Sequence, residues 1–100
     1  MKMYILIKDD VSTGNAVLSA AHAVLAAYLK FKDTPEVDQW LSGPFYKVIC
    51  RVNDKEFEKA KECPDHVVMT ESALDNREVA IAFKPREKWP KSFKYYRLYK

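Results

Sequence analysis

Only two glycines occur in the 100 residues, so few turns are expected to need a left-handed backbone. Two cysteines, Cys50 and Cys63, are too few for a disulfide framework and lack paired metal-ligand spacing. No apolar run reaches the ~18–20 residues of a membrane span, and no signal peptide is expected from the opening residues. No glycine-rich phosphate loop, internal repeat or low-complexity stretch is present. These absences exclude a membrane span and a nucleotide-cradling loop. A cytoplasmic domain with no cofactor and no metal is expected.

What is there is globular, with 48% hydrophobic and 31% charged residues. A chain of 100 residues is expected to form one domain, residues 1–100, around one core. The net charge of +3 is unevenly spread. Residues 1–83 carry ten basic and thirteen acidic side chains, a net of −3. Residues 84–100 carry Lys84, Arg86, Lys88, Lys91, Lys94, Arg97 and Lys100 against Glu87 alone, a net of +6. Trp89, Phe93, Tyr95, Tyr96 and Tyr99 are interleaved with them. Such a segment either meets a polyanion or packs as a last element with its lysines in water. On the first reading Lys88, Trp89, Lys91, Lys94, Tyr96 and Arg97 bind RNA.

Met3–Ile7 is a short continuous apolar run, as in a strand buried on both faces. Ser12-Thr13-Gly14 supplies capping hydroxyls for a helix over 15–31, and Pro35 fits the first turn of a second helix ending near Leu41. A strand over 45–52 follows, then a helix capped by Asn53 or Asp54, with Phe57 and Ala60 inward. Strands over 67–70 and 79–83 flank a turn-prone Leu74–Arg77. The fold class expected is a three-layer α/β/α domain with a mixed sheet of about four strands and right-handed helical crossovers. The segment beyond Pro90 suits either a short helix or an edge strand. Asp9 and Asp10 form an exposed acidic turn or a cation site. Cys50 reads as strand core, Cys63 as a loop thiol and His66 as structural.

The helix NAVLSAAHAVLAAYLKF is apolar round most of its circumference. Its exceptions before the last turn are Asn15, Ser19 and His22, spaced i, i+4 and i+7, within one narrow arc that Ala26 continues. Such a stripe needs partners, water or a ligand. His22 and Ser19 can bond within the fold, whereas Asn15 sits in the first turn, where free amides and the helix dipole favour an anion or oxyanion.

From this point the sequence resembles the type 2 (archaeal and eukaryotic) peptidyl-tRNA hydrolase family. The resemblance is carried by Val17–Ala23 with His22 in an Ala-His-Ala setting, Ala27-Tyr28-Leu29-Lys30, the strand Lys47–Val52, Phe57–Lys61, Val67–Ala73 and Val79–Pro85. It covers roughly residues 2–85 in order. It implies hydrolysis of the ester joining a peptide to the terminal ribose of tRNA, with peptidyl-tRNA as partner, no membrane partner and a homodimer. Carried over by position, the catalytic candidates are Asn15, Ser19, His22 and Glu71. The family's lysine is replaced by Asn15, its glutamine by Ser19 and its aspartate by Glu71, while Ser72 is the nearest hydroxyl to its threonine. Glu71 is the expected water-positioning base and His22 the alternative. A non-catalytic RNA-binding relative, or a module binding a small molecule or protein beside the polar stripe, are the alternatives.

Overall fold

In the computed structural model, which describes residues 1–100, the central strand β1 spans Lys2–Lys8. It is followed by α1 (Thr13–Phe31), α2 (Pro35–Leu41), β2 (Tyr46–Val52), α3 (Asp54–Ala60), β3 (His66–Glu71) and β4 (Arg77–Phe83). The chain closes with a 3-10 turn at Lys91–Tyr95 and a two-residue strand, β5 (Arg97–Leu98). Local chemistry sets these limits. Ser12 Oγ accepts from the Asn15 amide at the start of α1, and Thr34 Oγ1 accepts from the Val37 amide beside Pro35. Asn53 and Glu56 exchange side-chain and backbone bonds in a capping box that opens α3.

The sheet order is β3-β4-β1-β2-β5. β1 and β2 are parallel, while β4 is antiparallel to both β1 and β3, and β5 to β2. The expected architecture holds with five strands, one more than expected. Beyond Pro90 a short helical turn and an edge strand both form. The crossover from β1 to β2 uses one face, and that from β2 to β3 runs the other way over the opposite face. Those two reversals leave both crossovers with the same hand.

Period-two alternation divides β1 between two cores. Met3, Ile5 and Ile7 face α1, together with Ala80 and Ala82 of β4 and with Ala16, Ala23 and Ala27 of the helix. Tyr4 and Leu6 face α3, together with Cys50, Val52, Ile81, Phe83, Phe57 and Phe93. Phe93 sits with its ring centroid 5.1 Å from both Phe83 and Tyr96 and 5.2 Å from Tyr4. The C-terminal segment is thus part of the α3 layer. On the other face, α1 leaves β2 uncovered. Ile49 is part-exposed there, and Arg51 lies 4.6 Å from the Tyr99 ring.

The left-handed positions fall on neither glycine but on Phe45, Asp65, Asp75 and Asn76. Asp and Asn tolerate that region, and Asp75-Asn76 reverse the chain between β3 and β4. Cys63 lies in the turn between α3 and β3 with its side chain buried in the α3-side core, and its carbonyl lies 2.8 Å from His66 Nδ1.

If the C-terminal segment is a structural layer, Phe93→Ala removes a fully packed ring and should cost about 3–5 kcal/mol. Lys94→Ala, on the exposed side of the same turn, should stay within about 0.5 kcal/mol of the parent. Urea unfolding midpoints distinguish the two. Equal effects would make the segment an appendage.

Candidate active site

β1, β2 and β3 run in one direction, so their C-terminal ends share one edge of the sheet, where β4 and β5 begin. α1 and α3 both start at this edge and leave to opposite faces from the adjacent strands β1 and β2. Open α/β sheets place ligands at such a switch point. The edge collects Asp9 and Asp10 after β1, the N-terminus of α1, Asn53 after β2, Glu71 ending β3, Arg77 opening β4 and Arg97 opening β5.

Glu71 Oε1 accepts from the Ala73 amide at 3.1 Å, and the Glu71 carbonyl accepts from the Asn76 amide at 3.0 Å. The carboxylate is therefore held in place by its own hairpin connection. Arg77 is the cross-strand partner of Glu71 in the β3–β4 register, yet its guanidinium donates to Asp10 beyond the end of β1. That reach carries a positive charge across the edge from β4 toward the start of α1. Arg97 Nη2 lies 3.3 Å from Asp9 Oδ2 on the other side. Asp9 and Asp10, read as an acidic turn or a cation site, each hold an arginine.

The four residues carried over by resemblance separate. Asn15 stands half-buried in the first turn of α1, on the same edge as Glu71. His22 is exposed two turns further along the helix. Ser19 is only 2% exposed, and its Oγ is buried without a hydrogen-bond partner. The polar stripe is therefore not one open surface. Ser19 has rolled under the helix with Ala16 and Ala23, out of reach of a substrate. Arg77 was not singled out in the sequence. Its signal was there, because Glu71 and Arg77 are opposite charges bracketing a five-residue hairpin connection.

The basic segment also divides. Trp89 packs against Tyr4, Phe83 and Phe93, with Arg86 over its ring, and Tyr96 is buried. Trp89 is thus half-buried and Tyr96 buried, so much of the aromatic surface in the expected RNA-binding set is taken up by the core. The exposed aromatic ring is Tyr95. Lys88 lies at the opposite edge, in a 520 Å³ cleft shared with Lys84, Arg86, Glu36, Asp65 and Glu87. Charges there are balanced, with Lys84 Nζ 3.4 Å from Asp65 and 3.7 Å from Glu36. Lys91 and Lys94 remain exposed on the α3 side.

Neither thiol is a nucleophile. Burial, reinforced by the negative charge of Glu56, pushes Cys50 up to about 11. Burial also raises Cys63, although Arg86, with Nη1 3.0 Å from Sγ, pulls it back. No group of three His, Cys, Asp or Glu side chains is placed to hold a metal ion. Burial raises Tyr4 and Tyr96, and the hydrogen bond to Glu78 raises Lys61. Every one of these groups holds its proton more tightly folded than unfolded. Their stabilising contribution is complete below about pH 9, where unfolded thiols begin to ionise, and is lost as pH rises through the folded values. Urea midpoints should therefore fall steadily from about pH 9 upward, and both thiols should resist alkylation at pH 8 until the protein is unfolded. Rapid alkylation of the folded protein would contradict the burial argument.

Among curated proteins none matches this sequence. The family described as Peptidyl-tRNA hydrolase PTH2 matches residues 1–88, which takes in β1 to β4, all three helices and the edge bearing Asn15, Glu71 and Arg77. With most of the chain matched and the expected α/β architecture in place, this protein belongs to the peptidyl-tRNA hydrolase PTH2 family.

Proposed function

We propose that this chain is a divergent peptidyl-tRNA hydrolase, acting in the cytoplasm on the ester between a peptide and the terminal ribose of tRNA. The observation that carries the reading is the meeting of Glu71 and Arg77 in register on the edge where α1 begins. Glu71, oriented by the Ala73 amide, takes a proton from water as the oxygen attacks the ester carbonyl. The tetrahedral oxyanion lies toward Arg77, Asn15 and the first-turn amides of α1. Collapse expels the ribose oxygen, which takes the proton from Glu71, and leaves a peptide carboxylic acid that then loses its proton to water. Arg77, its guanidinium held by Asp10, is turned toward the start of α1, where the Asn15 position carries no charge of its own.

The second reading, a non-catalytic RNA-binding relative, is favoured by Asn15 itself, since one charged donor is worth on the order of 10²–10³ in rate. Turnover of a model peptidyl-tRNA decides between them. Glu71→Gln and Arg77→Gln should each lower kcat by about 10²-fold or more, and Asn15→Lys should raise it. Ser19→Ala should leave kcat unchanged and raise stability, because it removes an unpaired buried hydroxyl. Absence of turnover in both the parent and Asn15→Lys would sink the catalytic reading.

The homodimer is part of the same proposal. Leu25, Leu41 and Phe45 are exposed round an apolar groove between α1, α2 and the start of β2, and Val17 and Ile49 extend the same face. Exposed apolar surface of this kind marks a protein contact. Leu25→Glu should convert a dimer to a monomer by sedimentation. A monomeric parent protein would remove the dimer from the proposal.

A further inference from the structure

We infer that the groove between α3 and the 3-10 turn at Lys91–Tyr95 is a binding site for single-stranded RNA, with Tyr95 as stacking platform and Lys55 and Lys59 as phosphate contacts. The groove encloses about 460 Å³ and is lined by Lys55, Glu56, Lys59, Ser92, Tyr95 and Tyr96. That volume is in the range of small-ligand sites and admits a nucleotide. Tyr95 is 75% exposed, on a turn whose other aromatic, Phe93, is fully engaged in the core. An exposed ring fixed by a buried neighbour is a rigid face for a base.

The charges suit a phosphodiester strand. Lys55 and Lys59 are one helical turn apart on the same face of α3, about 6 Å along its axis. Lys55 makes no ion pair, and the contact of Lys59 with Glu62 is between two highly exposed side chains, worth little in water. Lys91 and Lys94 stand exposed on the adjoining turn, with Lys94 Nζ 5.4 Å from the Tyr95 ring. Glu56 is the acidic side chain of the groove, and its Oε1 is committed to the Asn53 amide in the capping box. Tyr96 contributes a buried wall beside Ser92.

Position adds a second argument. α3 begins at the sheet edge that carries Glu71 and Arg77, and Arg97, the residue after Tyr96, is paired to Asp9 on that edge. A strand lying in the groove therefore leads toward the candidate active site. This deepens the proposed function and rests on it for the identity of the RNA as a tRNA end, while the binding itself requires no turnover.

The test is fluorescence anisotropy with a labelled oligoribonucleotide of about eight nucleotides, between about 50 and 200 mM salt. Tyr95→Ala should weaken binding on the order of tenfold, and Tyr95→Phe should restore it. Lys55→Gln with Lys59→Gln should weaken binding and flatten the slope of log affinity against log salt by about 1.4, the share of two phosphates on a single strand. All these side chains are exposed, so unchanged thermal unfolding certifies the variants. Binding by the variants equal to the parent, or displacement of the oligonucleotide by an acidic peptide at lower concentration than by unlabelled RNA, would overturn the inference. Hydrolysis lost in Glu71→Gln with oligonucleotide binding intact separates the two proposals. Groove-dependent RNA binding without any turnover would leave the groove standing and remove the enzyme.

Discussion

The contact on which the rest of the structure depends is the close seating of α1 on β1 and β4 through methyl groups. Ala16, Ala23 and Ala27 of the helix meet Ala80 and Ala82 of β4 beside Met3, Ile5 and Ile7. Small side chains on both partners let the helix lie close to the sheet, and packing at interior density then resists any longer side chain on that line. This seating fixes where α1 begins, and so brings Asn15 to the edge shared by Glu71 and Arg77. It also explains Ser19. A serine on the seated face occupies an alanine's space, and its hydroxyl is the only side-chain oxygen buried there without a partner.

The two faces of β4 solve opposite problems. Ala80 and Ala82 admit a long helix, whereas Ile81 and Phe83 fill the space beside α3, which has only seven residues. A seven-residue helix cannot cover a sheet on its own, so Phe93, Tyr96 and Trp89 from the C-terminal segment complete that layer. The aromatic residues of this segment were thus ambiguous in the sequence for a physical reason. Apolar bulk and π-stacking surface are the same side chain, and only the neighbours decide which is used. Phe93 and Tyr96 went to the core while Tyr95, between them in its own setting, went to water.

The fold was readable because its elements obey local rules. The continuous apolar runs of β1 and β4, the Pro35 and Asn53 helix starts, and the alternation of β2 each carry their own signal. The site was readable only where one residue acts through its own segment. Asn15 follows from a helix start, whereas Glu71 came only with the family resemblance. The reach of Arg77 to Asp10 and the division of the basic segment did not, because both depend on contacts between segments far apart in sequence. The helical arc was similarly too coarse to separate Ser19 from Asn15. The two differ by about 40° round the axis, which is enough to place one on the flank and the other underneath.

Charge distribution ties these observations together. The two aspartates after β1 look like a cation site in sequence, and in the fold each holds a guanidinium from a different strand, Asp9 with Arg97 of β5 and Asp10 with Arg77 of β4. These are exposed pairs and contribute little to stability. Their consequence is positional. A free arginine samples many rotamers, and one tethered to a carboxylate at the end of the central strand presents its charge in one direction. The excess of +6 in residues 84–100 is accordingly not one surface. Lys84 is spent on Glu36 and Asp65 at the far edge and Arg97 on Asp9 at the near edge, while Lys91 and Lys94, which make no ion pair, stand beside Tyr95. What reaches a polyanion is therefore decided by which cations the acidic body leaves unpaired, and the sum over the chain does not report it.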